Sequence, residues 1–394
     1  MGEALLPPAA AAPVGWRAQT ALAACWPAMA VLYRAFLPEM RAIEAGLDRD
    51  EAAGHDRSHP RQALAELRWR LEYTADCAAA AAALERLRRA VARPPPRAPA
   101  TDAEGSFGTG TEVWFLKLDA SVDHWLGPDA GPVAPPRLLD RVNQPDRLIE
   151  YLRGLLVSRP REAGIDHRKE LNFATANLVR LILWGRPLGY RWDPRLEPLI
   201  RRFVADWQDP ATGFFGITYE IDGVRRRTAD LSMTFHMARY LDGAIGYWPQ
   251  LIDTLIALKE SRYPNGWLDE TGLTPHNAYD VAVLFRLGWD KLGAERRGRV
   301  RCEVQRLLDW CLAQAVGADG RVTVRAVSES LPESYYFTVA LLDTLGCFGP
   351  QKPFWTDRPF AGAAALKARL EAQISGLDPA QPMARMALAR LRGA

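Results

Sequence analysis

Apolar residues recur between residues 164 and 346 in two alternating patterns. In one pattern they cover nearly every side of a helix, which predicts inner, fully buried helices at 228–242, 276–291 and 334–346. In the other they follow i, i+3, i+4, i+7, which predicts helices buried on one face at 195–208, 247–259 and 296–315. A ring of inner helices wrapped by outer helices produces this alternation.

The unit of turn, short extended piece and inner helix returns about every 50 residues. A fainter earlier copy begins near Gly164. The alignment of the copies pairs Asp230 with Asp280, Arg226 with His276, Glu333 with His276, and Tyr336 with Tyr279.

We therefore predict an all-α fold. Its specific form is an α/α toroid of up to six helical hairpins, with short extended segments before the inner helices. The β-branched apolar strands of a doubly wound α/β fold are missing from the pattern. The predicted organisation is a disordered segment 1–14, N-terminal helices 15–92, a Pro-rich linker 93–110 and the toroid domain 111–394.

Composition narrows the class of protein. Of 394 residues, 48% are hydrophobic and 25% charged, which is typical of a soluble globular chain. A net charge of +3 gives no argument for a nucleic-acid partner. Five widely spaced cysteines favour free thiols in a reducing compartment. With neither a basic segment before an apolar run nor a run of membrane length, we expect a cytoplasmic protein; its oligomeric state stays open.

The repeated unit resembles the repeats of the terpenoid cyclase and protein prenyltransferase toroids. Those repeats read as a Gly/aromatic turn followed by an inner helix that begins like DLxxTYxAL. Three pairs of segments carry the resemblance, over residues 164–346: Asp209–Gly216 with Asp230–Phe235, Asn265–Trp267 with Asp280–Phe285, and Asp319–Arg321 with Ser334–Thr338.

The chain also departs from that superfamily. It has no DxDD acid motif and no DDxxD motif for metal-bound diphosphate, and the zinc ligands of the prenyltransferases cannot be placed. We expect no metal and no cofactor. Toroids of similar shape also serve carbohydrate epimerases, hydrolases and lyases.

Polar residues near the starts of inner helices are the candidates for chemistry. His276 and Asp280 are spaced i, i+4 and share one helix face, where a carboxylate fixes the tautomer of an imidazole and raises its basicity. Arg226 and Asp230 hold the matching positions one repeat earlier, so we predict that each pair projects from one face of a helix.

Two further residues complete the catalytic candidates: His236, on an apolar helix, and Glu333, at the third inner-helix start. A buried histidine more often only packs, and an acid at a helix start more often only caps. The predicted substrate-binding residues are Arg226, Arg227, Asn172, Tyr219, Phe215, Trp267 and Tyr336. The aromatic members of this set could stabilise a carbocation or stack on a sugar ring equally well.

The resemblance implies an enzyme of the terpenoid cyclase kind that acts on an apolar, small-molecule isoprenoid by acid-initiated cyclisation, with Asp230 or Asp280 as the acid. One alternative is a cytoplasmic carbohydrate-active enzyme in which His276, His236 and Glu333 transfer protons. The other is a non-catalytic toroid scaffold. The side chains that line the cavity distinguish the three: apolar walls favour an isoprenoid, polar walls a sugar, and a filled interior the scaffold.

Overall fold

The computed structural model describes residues 10–11, 27–53, 55–94, 101–126, 136–185, 188–324, 330–349, 353–377 and 381–393. Across these ranges the chain is 64% helix, in 15 helices with one small sheet. The all-α class is therefore confirmed. Apart from Ala10 and Ala11, the segment 1–14, predicted to be disordered, lies outside the described residues.

The chain divides into two compact units. Unit 1 comprises residues 1–51, 55–208 and 216–229, and unit 2 comprises 52–54, 209–215 and 230–394. The division falls inside the repeat region and not at the predicted linker 93–110. The described part of that linker packs within unit 1, where Gln62 Nε2 donates to the carbonyl of Phe107 at 2.9 Å and Gln62 Oε1 accepts from the amide of Gly110 at 2.8 Å.

Unit 1 holds the first eight helices, whose bounds are α1 Pro27–Ala52, α2 Ser58–Tyr73, α3 Cys77–Ala92, α4 Trp114–Leu126, α5 Pro145–Leu155, α6 Pro160–Ala163, α7 Arg168–Trp184 and α8 Leu196–Trp207. Helices α1 to α3 share one apolar core that includes Met40, Leu67 and Leu87. A second core joins α2, α4 and α7 through Trp69, Phe115, Leu116 and Ala174.

The sheet also belongs to unit 1. Its strands are β1 Ala10–Ala11, β2 Val157–Ser158, β3 Thr218–Ile221 and β4 Val224–Arg227, in the order β1-β4-β3-β2. Strands β3 and β4 form an antiparallel hairpin in which Tyr219 lies opposite Arg226. This hairpin directly precedes an inner helix and confirms the predicted extended segment at that place.

Unit 2 holds the remaining seven helices, whose bounds are α9 Leu231–Tyr240, α10 Trp248–Ala257, α11 Pro275–Gly288, α12 Ala294–Trp310, α13 Leu331–Thr344, α14 Ala363–Ser375 and α15 Pro382–Arg392. Helices α9, α11, α13 and α15 pack side by side in that order. Helices α10, α12 and α14 pack against this row and form a second layer. We call α9, α11, α13 and α15 the inner row.

Burial separates the two kinds of helix as predicted. In α9, every residue is buried except His236 and Arg239, which are half-buried. In α10, by contrast, only one face is buried, with Trp248, Leu251 and Leu255 among its members. The predicted contrast in burial is thus confirmed for these two helices. The predicted segment 276–291 runs past the end of α11 at Gly288, and its last two residues are exposed. Closure into a ring is a proposal.

Each of the first three inner helices begins at a residue that caps it. The side chain of Asp230 accepts from the amide of Met233 at 3.0 Å, Thr274 from Asn277 at 3.2 Å, and Ser330 from Glu333 at 3.4 Å. An oxygen at this position satisfies one of the amides that lack a partner inside the helix. Asp230, Thr274 and Ser330 are therefore the equivalent positions, and the pairing of Asp230 with Asp280 is wrong: Asp280 lies in the second turn of α11.

Backbone hydrogen bonds fasten the start of α9 to the turn before it and to the turn before α11. The amide of Asp230 donates to the carbonyl of Phe215 at 3.0 Å, and the amide of Leu231 to that of Pro264 at 2.6 Å. The turn before Phe215 requires glycine at 213, because its φ is 72° and a Cβ there would lie 2.5 Å from the amide nitrogen of Leu251. Glycine adopts this conformation without steric cost.

Four cysteines fall in the described ranges, and all four are free thiols. Cys77 and Cys302 are exposed, whereas Cys311 and Cys347 are buried. Burial raises the pKa of both buried thiols well above the ordinary value. Of the helices that the structure describes, none combines the length and the apolar character that crossing a membrane requires.

Candidate functional site in the inner row

The predicted pairing of Arg226 with Asp230 on one helix face is wrong. Arg226 lies in strand β4, and the helix begins only at Leu231, after Asp230. Asp230 is fully buried and serves as the N-cap of α9. The other predicted pair does lie on one helix: His276 and Asp280 are both in α11, with Nε2 and Oδ2 4.0 Å apart.

The corrected register brings three predicted site residues to one level of the inner row. His236, Asp280 and Tyr336 are each the sixth residue of their helix, in α9, α11 and α13. A ring contact joins α9 and α11 one residue earlier, since Phe235 and Tyr279 meet edge to face with centroids 5.7 Å apart. This level of the inner row is the candidate site of unit 2.

Asp280 is the most perturbed acid of the site. Its side chain is 1% exposed, and its Oδ1 atom has no hydrogen-bond partner. Burial raises the pKa of this carboxyl well above its ordinary value, and the nearby guanidinium of Arg239 opposes the shift only in part. Asp280 is thus held protonated far more readily than an exposed aspartate.

His276 lies beside Asp280 at the surface of the same helix. The ring stacks on Phe337, with centroids 4.1 Å and planes 13° apart, and it also faces Tyr263 at 6.1 Å. Burial by these neighbours lowers the pKa of His276 to about 4, although 41% of the side chain is exposed. The predicted effect, a raised basicity, is wrong in direction, because the neutral imidazole is favoured.

Arg239 supplies a cation from the end of α9. Helical side chains lean toward the helix N-terminus, and its guanidinium accordingly lies 5.6 Å from the ring centre of Phe235 and 5.9 Å from that of Tyr279. Among the described residues, no carboxylate lies within salt-bridge distance of Arg239.

A second arginine approaches Tyr279 from α15, but its charge is compensated. Arg390 Nε donates to Asp343 Oδ2 at 2.8 Å, and the guanidinium lies 5.6 Å from the ring centre of Tyr279. The site therefore combines one paired cation, one cation without a carboxylate partner, and a carboxyl that favours its neutral form.

The remaining candidates of unit 2 have structural contacts. His236 is half-buried and stacks on Tyr240, with planes 4° apart. Glu333 forms a capping box, because its Oε2 accepts from the amide and the hydroxyl of Ser330, both at 2.9 Å. The capping role expected of an acid at this position is therefore present.

Two predicted binding aromatics have no accessible surface. Phe215 and Trp267 are each 0% exposed. The amide of Phe215 donates to Thr234 Oγ1 at 3.0 Å, and the indole of Trp267 donates to the carbonyl of Leu255 at 2.9 Å. Both rings pack the turns against the helices and do not reach solvent.

The other predicted binding residues belong to unit 1. The hydroxyl of Tyr219 donates to Asp166 Oδ2 at 3.0 Å, and Arg227 donates to the carbonyl of Trp207. Arg226 is half-buried in β4, and Asn172 is 4% exposed on α7.

Unit 1 also holds a charged group that sequence reasoning missed. Glu72, Asp119 and Lys169 lie on α2, α4 and α7, three helices that pack against one another. The ammonium of Lys169 lies 5.6 Å from the ring centre of Phe173, and Asp119 Oδ1 accepts from Asn177 Nδ2 at 2.9 Å. Three single residues on separate helices form no motif, so spacing carries no signal for them.

The charges of this group are strongly perturbed. Burial raises the pKa of Asp119 to about 6, raises that of Glu72, and lowers that of Lys169. Glu72 is nevertheless exposed to solvent.

Within the ranges that the structure describes, no three His, Cys, Asp or Glu side chains come together as metal ligands would. No protein-family model, no curated protein and no solved structure matches this chain.

Proposed function

We propose that the chain is an enzyme of the terpenoid cyclase kind in which Asp280 is the general acid. One observation carries the proposal: a buried carboxyl with a raised pKa and an oxygen without a hydrogen-bond partner lies beside His276, whose ring stacks on Phe337. A carboxyl whose protonated form is favoured is what protonation of an apolar substrate requires. In this proposal the inner row is part of a closed α/α toroid.

The proposed reaction is an isomerisation. Asp280 transfers its proton to a terminal alkene carbon of the substrate, the electrons of further alkenes form carbon–carbon bonds, and a neighbouring carbon then loses a proton to leave a new alkene. The neutral imidazole of His276, 4.0 Å from Asp280, is placed to accept that proton. The rings of Phe235, Tyr279 and Phe337 stabilise the intermediate cation.

The test supplies linear isoprenoids with a terminal alkene in D2O. The expected product is a cyclic isomer that carries one deuterium, detected by gas chromatography with mass spectrometry. Asp280→Asn should abolish its formation, since an amide keeps the volume and loses the acidic proton. Asp230→Asn is the matched control and should remain active, because asparagine also caps a helix.

A carbohydrate-active enzyme is the second candidate, and Arg239 with Arg390 favours it. Two guanidinium groups lie beside Tyr279. These cations would bind a polar substrate and would repel a carbocation. If no isoprenoid turns over, monosaccharides in D2O provide the discriminating assay, because epimerisation exchanges one carbon-bound hydrogen for deuterium. If the chain exchanges deuterium into a monosaccharide and His276→Gln loses this activity, the carbohydrate-active enzyme replaces the terpenoid cyclase as the proposed function.

A further inference from the structure

Lysine is rare in this chain, which makes the half-buried Lys169 of α7 informative. Lysine occupies six of the 50 basic positions, and arginine occupies the others. Two other half-buried lysines are paired with carboxylates: Lys117 Nζ lies 3.1 Å from Asp102 Oδ2, and Lys259 Nζ lies 2.8 Å from Glu303 Oε1. Within the ranges that the structure describes, Lys169 forms no salt bridge.

Two aromatic rings take the place of a carboxylate at Lys169. Its ammonium lies 5.8 Å from the ring centre of Tyr73 on α2 and 5.6 Å from that of Phe173, one turn further along α7. Tyr73 remains a neutral phenol, because burial raises its pKa to about 12. All three side chains are half-buried, so each keeps part of its surface in contact with solvent. The amine and both rings are therefore side by side within reach of a dissolved molecule.

The surroundings of Lys169 favour its neutral amine. Burial lowers the pKa of this group. The nearby carboxylates of Glu72 and Asp119 oppose that shift, whereas the guanidinium groups of Arg68 and Arg168 add to it. A neutral lysine amine attacks a carbonyl carbon, which an arginine in its place could not do because a guanidinium stays charged.

We propose that Lys169 is a covalent binding site for apolar aldehydes, with the rings of Tyr73 and Phe173 in contact with the apolar part of the bound molecule. The amine nitrogen forms a bond to the carbonyl carbon. The carbonyl oxygen takes one proton from the amine and one from solvent and leaves as water, and the product is an iminium cation. This product carries the same charge as the ammonium, so the two rings stabilise it as they stabilise the protonated lysine.

Reductive trapping on the full chain tests the site. Sodium cyanoborohydride at pH 7 converts the iminium formed with hexanal into a stable hexyl-lysine, which peptide mass spectrometry assigns to a position. We expect Lys169 to react about tenfold faster than Lys291, an exposed lysine just after α11, because a pKa lower by one unit gives about ten times more neutral amine. Lys169→Arg should remove the fast adduct, and the matched control Lys291→Arg should retain it.

The dependence on concentration distinguishes a binding site from a merely reactive amine. The rate at Lys169 should approach a limit as the hexanal concentration rises, since the aldehyde binds before it reacts. Phe173→Leu should raise the concentration at which this limit is reached, because it removes one of the two rings. Circular dichroism confirms that each variant is folded.

Three results would overturn the inference. They are equal rates at Lys169 and Lys291, a fast adduct that persists in Lys169→Arg, and a rate at Lys169 that rises in proportion to the hexanal concentration without a limit. The trapping does not involve Asp280, so this inference and the proposed function can fail independently.

Discussion

The imidazole of His276 in α11 lies flat against the ring of Phe337 in α13, with centroids 4.1 Å apart. The phenyl ring removes water from one face of the imidazole, so the cation is poorly solvated there. The stacking thus contributes to the low pKa of His276, about 4. The protonation of a side chain on α11 therefore depends on how α13 packs against it.

We expect His276 to stay neutral from pH 8 down to about pH 5. The titration of its ring proton, followed by NMR, should have a midpoint near 4, and Phe337→Ala should raise that midpoint toward 6.5. Since the folded pKa lies below the unfolded one, the stability that His276 contributes is present above about pH 6.5 and is lost as the pH falls toward 4. A wild-type midpoint near 6.5 would contradict this account.

Asp280→Asn should stabilise the protein at high pH. Ionising a carboxyl whose pKa is raised in the folded state costs free energy, so stability falls in the wild type as the pH rises through that pKa. The amide has no such cost. Urea unfolding at pH 5 and pH 9 should show a smaller loss in the variant, and equal losses in both proteins would exclude a buried, protonated Asp280.

Removing any one cap of the inner row should cost about 1 kcal/mol. Asp230→Ala, Thr274→Ala and Ser330→Ala each delete the oxygen that accepts the first-turn amide. The free energy of unfolding measures the loss. Glu333→Gln is the control, because glutamine also completes a capping box. If Glu333→Gln lowered stability as much as Ser330→Ala, the charge of Glu333 and not its hydrogen bond would be the stabilising feature.

Asp119 should make stability fall between about pH 4 and pH 6. Its folded pKa of about 6 exceeds the unfolded value near 3.9, so its contribution is full below about pH 4 and is lost as the pH rises through 6. The shift corresponds to at most about 3 kcal/mol, less whatever solvent screens. Asp119→Asn should remove this part of the pH dependence. Asp206→Asn, which changes an exposed acid of α8, should retain it.

Burial patterns could be predicted from the sequence because a helix packed on all sides needs apolar residues on all sides. The register could not be predicted from matching letters. Capping is performed equally by Asp230, Thr274 and Ser330, so identical residues do not mark equivalent positions. The hairpin β3–β4 also lengthens the segment between the first turn and its helix, which shifts the copies against each other.

Only part of the candidate site could be predicted from the sequence. His276 and Asp280 share one helix, so a spacing of four residues reveals them. Arg239 gave no signal, because an arginine in the last turn of a helix is ordinarily a favourable partner for the helix dipole. Only the side-by-side packing of α9 and α11 places it beside Asp280. Closure of the toroid remains a prediction.

The rate at which the two buried thiols are alkylated measures how often unit 2 opens. Iodoacetamide reacts with thiolates, so Cys311 and Cys347 resist alkylation until the unit opens, whereas Cys302 on the surface of α12 reacts at once. Alkylation of the two buried cysteines therefore counts openings of the folded state. Any compound that binds the native inner row makes those openings rarer. Slower labelling of Cys311 and Cys347 beside unchanged labelling of Cys302 identifies a ligand before its reaction is known.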